Sequence, residues 1–296
     1  MLVDIPLSYA VPAAASALAY LNARWSVFYD AKLIGSLIKA MMKAKYADSN
    51  GHLNLFYVLE NYALAAGTKN HPFIVYNGRT WTFHETYETV LRYGTWLKTV
   101  HGVKPKEIVA IDFMNSSTFL FFVLGLWSIG AVPAFINCNL SGKPLTHSVR
   151  VSTAKLLIVD EGIQKNFSQE QLEIFASPDF REEGGSIETV FCTPDVEAQV
   201  LQTEALRVDD AVRGEATLRD MAALIYTSGT TGLPKPAIVS WKKCWVGSVF
   251  SNSWLNISPT DRFFTVSKFP LTFYERQLTR NSACPFTTLL LLFWDS

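Results

Sequence analysis

The 296-residue chain reads as an α/β protein, and three observations carry that expectation. Short apolar runs of strand type alternate with helix-type runs from residue 73 to residue 227, the pattern of a sheet covered by helices. An apolar strand enters a glycine- and hydroxyl-rich loop at 227–235, and a second apolar strand leaves it. The run from Ile5 to Ala23 carries no charge and differs in kind from the remainder of the chain.

That N-terminal run, IPLSYAVPAAASALAYLNA, comes close to the roughly 20 residues a helix needs to cross a hydrocarbon core. Asp4 stands where a signal peptide would carry Lys or Arg, so a membrane anchor is the expectation. Arg24, Lys32, Lys39, Lys43 and Lys45 crowd its exit side, which the positive-inside rule places in the cytosol together with the rest of the chain. Over 27–46, Phe28, Leu33, Leu37, Ile38, Met41 and Met42 recur at helical spacing with lysines elsewhere. Such a helix fits an interfacial position or packing on its own domain.

In the main body, Phe73 to Tyr76, Asn77-Gly78 and Arg79 to Thr82 form a hairpin signature, because Asn-Gly suits the positive φ values of a type I′ turn. A helix is expected at 83–100, a strand from Glu107 to Asp112, a helix from Ser116 to Ile129 and a strand from Ala131 to Ile136. The apolar run at 118–136 has the length of a second membrane span, but Gly130 and Pro133 divide it into a buried helix and strand. Further strands are expected from Lys155 to Val159, Ile187 to Phe191 and Met221 to Thr227, with a polar loop at 176–186.

Composition narrows the function classes. The 26 Lys+Arg and 26 Asp+Glu cancel, which leaves no net basic field for nucleic acid. Cys138, Cys192, Cys244 and Cys284 lie far apart without a CxxC pair, which fits a reducing compartment rather than a disulfide framework or zinc site. The sequons at Asn115, Asn139, Asn166 and Asn256 are read as unused. His52, His71, His84, His101 and His147 show no metal-ligand spacing, and no metal-binding residue is assigned.

Chemistry concentrates in MAALIYTSGTTGLPKPAIVSW, residues 221–241. Within Thr227, Ser228, Gly229, Thr230, Thr231 and Gly232, the glycines let backbone N–H groups turn inward and the hydroxyls donate to phosphate oxygens. Lys235 adds a point charge. This is no Walker A loop, in which Lys directly follows the last glycine and a helix comes next. Pro234 and Pro236 bracket the lysine and favour strand–loop–strand. A plain glycine turn needs one or two permissive residues, far fewer than are present. No G-x-S-x-G elbow is found in the chain.

YTSGTTGLPK resembles the phosphate-loop signature of the AMP-forming adenylating superfamily. AYLNARW at 19–25, GRTWTF at 78–83, the run VAIDFMNSSTFLFFVLGLWSIGAVPAFINCNL at 109–140 and AIVSW after the loop resemble its fatty acid transport protein/very long-chain acyl-CoA synthetase branch, in fungal form. The resemblance covers about residues 5–265. It implies the incomplete N-terminal domain of the adenylate-forming fold and a two-step ligase using ATP, Mg2+ and CoA. A fatty-acid or related carboxylate attacks the α-phosphate to give acyl-adenylate and pyrophosphate, and the CoA thiol then displaces AMP. By analogy Thr227, Ser228, Gly229, Thr230, Thr231, Gly232 and Lys235 grip the β- and γ-phosphates.

After Thr265 the sequence departs from that pattern. The family continues with Met-Pro-Leu-Tyr-His-Ser and later supplies adenine- and ribose-binding segments, a hinge and a lid, none of which is found in 266–296. Yet Cys284 to Ser296, read one base out of frame, permits Met-Pro-Leu-Tyr-His-Ser-Thr-Ala-Ala-Ile-Leu-Gly-Leu. Val266-Ser267, Leu278-Thr279 and Asn281-Ser282 permit intron donor, branch and acceptor sites. The expected organisation is therefore an anchor with an amphipathic helix at 1–46, a partial AMP-binding domain at 47–265, and a tail at 266–296 translated from a retained intron and a shifted exon. The expected function is activation of a long- or very long-chain fatty acid coupled to its uptake, with this chain inactive. The alternative is a non-catalytic membrane-bound module that binds acyl chains or partners.

Overall fold

The computed structural model describes residues 6–227, 233–258, 261–265 and 272–275. Two helices come first, α1 (Leu7–Trp25) and α2 (Val27–Ser49), joined at Ser26 with a positive φ of 53°. After α3 (Phe56–Leu64), strands β1 (Pro72–Tyr76) and β2 (Arg79–Thr82) form the expected hairpin, with Asn77 and Gly78 both at positive φ. A capping box between Thr82 and Glu85 starts α4 (Phe83–Val100). The chain then alternates through β3 (Ile108–Asp112), α5 (Ser117–Ser128), β4 (Val132–Ile136), α6 (Gly142–Val151) and β5 (Leu156–Asp160). A 3-10 turn (Glu161–Asn166), α7 (Gln169–Ala176), β6 (Glu188–Cys192), α8 (Pro194–Gln202) and the short α9 (Ala211–Gly214) come next. Last are β7 (Met221–Thr227), β8 (Lys235–Ser240), α10 (Trp241–Leu255) and the antiparallel pair β9 (Arg262–Thr265) and β10 (Thr272–Glu275).

The central sheet has the order β6-β5-β3-β4-β7-β8, parallel except for β8 at one edge. Strand alternation splits its side chains between two cores, as a sheet covered on both faces requires. Val109, Ile111 and Ile158 join the larger core with Phe56, Leu97, Phe122 and Trp127, while Ala110, Leu157 and Val159 join Leu145, Val149 and Phe175. The 118–136 run is the buried helix–strand unit its Gly130 and Pro133 implied. Gly130 sits at φ 76°, and a Cβ there would come 2.7 Å from the Val212 carbonyl oxygen. Trp127 donates its indole N–H to Ala222 O at 2.9 Å, tying α5 to β7.

A polar network secures the segment before β7. Arg207 grips buried Glu60 through two nitrogens, at 2.5 and 3.0 Å, and also reaches Asp210 at 2.6 Å. Tyr87 donates to Glu60 at 2.9 Å, and buried Arg213 bonds Asp210 and the Ser128 carbonyl. Apart from the Arg213 Nε, which has no partner among the described residues, these groups satisfy one another, a structural role for charges taken out of water.

The N-terminal expectation is met as a helix and not as a membrane span. The helix α1 forms, and none of its residues is buried, but no helix among the described residues is long and apolar enough to cross a membrane. Its alanine-rich sequence supplies too little apolar surface per turn. The α2 helix packs on α10, yet through Ser36, Ala40, Ala44 and Ala47 rather than its large apolar residues. Ser36 Oγ lies 3.2 Å from Ser253 Oγ, and Tyr29 meets Trp254 edge-on at 4.6 Å.

Candidate phosphate-binding site

The loop is positioned by its two strands. Ala222, Ala223 and Leu224 bury β7 in the sheet, and Tyr226 anchors its end by donating its hydroxyl to Ser148 O on α6 at 2.8 Å. Burial holds that phenol well above its ordinary pKa, so it stays a neutral donor. Pairing with β8 runs without interruption from Ala223↔Val239 to Thr227↔Lys235. Pro236, which has no N–H to give the ladder, is tolerated because β8 is an edge strand.

The strand–loop–strand expectation is met, with Lys235 itself the first residue of β8. Thr227 and Lys235 face each other as the last pair of the ladder, and the Thr227 hydroxyl lies 3.5 Å from the Lys235 carbonyl oxygen. Both are exposed. Ser228, Gly229, Thr230, Thr231 and Gly232 lie outside the described residues. The hairpin thus holds a hydroxyl and an ammonium at the mouth of a loop joining two strands, a donor set that fits an anionic phosphate chain.

The mouth opens at the carboxyl edge of the parallel sheet, where α/β proteins place ligands. Asp112 of β3 and Asp160 of β5 end at the same edge. Asp160 accepts from Gly162 N at 2.8 Å and from Met114 N at 3.3 Å. Asp112 is buried and neither of its carboxyl oxygens has a partner among the described residues. Burial, and then the nearby Asp160 charge, push its pKa up to about 7. In the sequence Asp112 is no more than the end of a strand; the available signal was an acid closing the apolar run VAID in a sheet covered on both faces. Among the described residues no group of three or more His, Cys, Asp or Glu is placed to hold a metal. A Mg2+ ion entering with ATP would take most of its oxygen ligands from phosphates and water.

The AMP-binding enzyme family matches residues 62–273. The very long-chain fatty acid transport protein of Cochliobolus heterostrophus is 30% identical over 265 residues, covering 88% of this chain and 40% of that protein. The Saccharomyces cerevisiae protein of the same description is 36% identical over 200 residues, covering 63% of this chain and 28% of that protein. A solved structure, Mycobacterium tuberculosis fatty acyl CoA synthetase, superposes with a TM-score of 0.54 at 18% identity over 70% of this chain and 38% of its own, a likeness of fold. The chain therefore spans less than half the length of each of these relatives.

Proposed function

The chain belongs to the AMP-binding enzyme family, and on that premise we propose that it is part of an ATP-dependent ligase converting a long- or very long-chain fatty acid, or a related carboxylic acid, to its acyl-CoA. The carrying observation is the β7–β8 hairpin, which sets Thr227 against Lys235 at the carboxyl edge of the sheet. In the first step a carboxylate oxygen bonds to the α-phosphorus of ATP as the bond to the bridging oxygen breaks, and pyrophosphate leaves with its charge. Lys235 and the Thr227 hydroxyl meet the β- and γ-phosphates, with Ser228, Gly229, Thr230, Thr231 and Gly232 completing the cradle. Holding the leaving group in this way lowers the barrier because charge builds there as the bond breaks. Mg2+ neutralises the phosphates when bound. In the second step the CoA sulfur attacks the acyl carbon and AMP departs.

A membrane is the proposed partner, supported by the exposed apolar side chains of α1 and α2; a cytosolic sheet domain is proposed from the Arg24, Lys32, Lys39, Lys43 and Lys45 that follow the uncharged run. The same surface favours the second reading, an acyl-chain or partner-binding module without catalysis; lipid capture by a chain lacking adenylation would support it. For 266–296 the proposal remains a retained intron and shifted exon, which amplification of the transcript would test directly.

Calorimetric titration of the 296-residue chain with MgATP and with magnesium tripolyphosphate tests the site. A site built on phosphate contacts binds both weakly and about equally. Lys235→Ala should weaken both at least about tenfold, the effect of one charge-assisted contact. Unchanged binding in that variant would remove the loop from the site. Acid-dependent exchange of pyrophosphate into ATP by the product of a spliced transcript would test the ligase reading.

A further inference from the structure

The outward side of α2 carries its charges in a definite order. Asp30, Ile34, Ile38, Met41 and Lys45 follow one another three or four residues apart, with Leu37 beside Ile38, so they form one stripe along the helix. All six are exposed, and the stripe lies away from Ser36, Ala40, Ala44 and Ala47, the side that packs on α10. An acid therefore opens the apolar run and a lysine closes it. At 1.5 Å per residue the two stand about 22 Å apart, too far to pair with each other on one helix. Neither joins an ion pair among the described residues. Large apolar side chains facing water between two unpaired, opposite charges mark a surface that something covers.

We propose that this stripe docks on the same stripe of a second copy of the chain, the two α2 helices running antiparallel about a two-fold axis between Leu37 and Ile38. Charge complementarity selects this occupant. A two-fold contact pairs a surface with itself, so the antiparallel register sets Leu37 against Ile38, Ile34 against Met41 and Asp30 against Lys45, each twice. The apolar layers then lie between two opposite-charge pairs, and flanking charges of this kind set the orientation of paired helices. A parallel pair would stack Asp30 on Asp30 and Lys45 on Lys45. An anionic lipid surface would meet Asp30 and, three residues beyond Lys45, Asp48. In the antiparallel register Asp48 falls opposite Val27 at the end of the seam, within reach of water. Because α10 sits on the far side of each α2, the two sheet domains stay apart. Phe28, Met42 and Tyr46, exposed at the edge of the stripe, remain free for the membrane proposed above. The inference goes beyond the ligase reading and does not depend on it.

Sedimentation velocity of the 296-residue chain from micromolar to submillimolar concentration tests it. One helix pair buries less than a standard interface of about 1,600 Å², so the native chain should pass from monomer to dimer across that range. Asp30→Lys and Lys45→Asp should each weaken dimerisation at least about tenfold, since either change replaces two opposite-charge pairs by two like-charge pairs. An equimolar mixture of these two variants should restore it, because each mixed dimer again sets opposite charges face to face. Both positions are exposed, and circular dichroism would verify that each variant keeps the native helix content. A native chain that is monomeric at every concentration overturns the proposal, and flotation of that monomer with phosphatidylcholine vesicles would assign the face to a membrane instead. A native dimer indifferent to both reversals, or two weakened variants that fail to recover on mixing, would put the contact elsewhere and also overturn it.

Discussion

Asp112 is the residue whose surroundings conflict most with its chemistry. It ends β3 with 1% of its surface exposed, and neither oxygen finds a donor among the described residues. Asp160, on the neighbouring strand, is held by two backbone N–H groups. The folded chain therefore keeps a proton on Asp112 up to about pH 7, whereas the unfolded chain releases it near 3.8. Between those values the folded state binds more protons, so stability is greatest at the acid end and falls as pH rises. Asp112→Asn, which is neutral at every pH, should match the native chain at about pH 4 and exceed it at about pH 8 by up to ~4 kcal/mol. Urea unfolding of both proteins across that range checks the prediction. A difference that does not change with pH would show that Asp112 is ionised in the fold.

Between elements, the tightest requirement is the crossing of α4 and α5. A Cβ on Gly94 would fall 2.2 Å from Ser128 Oγ and 3.1 Å from the Gly125 carbonyl oxygen, and one on Gly125 would fall 2.9 Å from Tyr93 Cβ. Alanine favours a helix over glycine by about 1 kcal/mol, but the backbones would have to separate, and overpacking costs about 1–3 kcal/mol. Gly125→Ala should therefore lower stability by a net of up to ~2 kcal/mol, while Gly35→Ala, in α2 with nothing within 4 Å, should raise it by up to ~1 kcal/mol. Thermal unfolding of the two single variants separates these outcomes.

Local chemistry made several of these elements legible in the sequence. Asn77-Gly78 specified its turn, Gly130 and Pro133 stopped α5 and opened β4, and β7 matched its expected bounds from Met221 to Thr227. Strand order was not legible, because pairing such as Ala134↔Leu224 joins residues far apart in the chain. Nor was the docking side of α2: periodicity weights Leu33, Leu37, Ile38, Met41 and Met42, whereas the close approach to α10 selects the small side chains. Of the site, the loop could be read from its glycines and hydroxyls, but Asp112 could not, since its cost arises from a core that only the folded sheet creates.

On the scale of the whole molecule, the chain divides into a sheet layered with helices and an N-terminal helical pair that meets it mainly through α2 on α10. That contact is built from Ser36, Ala40, Ala44 and Ala47, with Ala40 fully buried. It buries little apolar area per residue, so it contributes less than the packing of Phe122 or Trp127 within the sheet core. Regions with few buried apolar contacts open at lower free energy than the global transition. Ala40→Leu inserts bulk where the helices touch, at a cost of about 1–3 kcal/mol, while leaving the sheet core unaltered. The variant should release α1 and α2 before the sheet unfolds, exposing the turn at Asn50 and Gly51 to protease. Limited proteolysis should then yield a fragment beginning near residue 50 at denaturant concentrations where the native chain resists cleavage. Global unfolding with no such fragment would mean that α2 and the sheet form one cooperative unit.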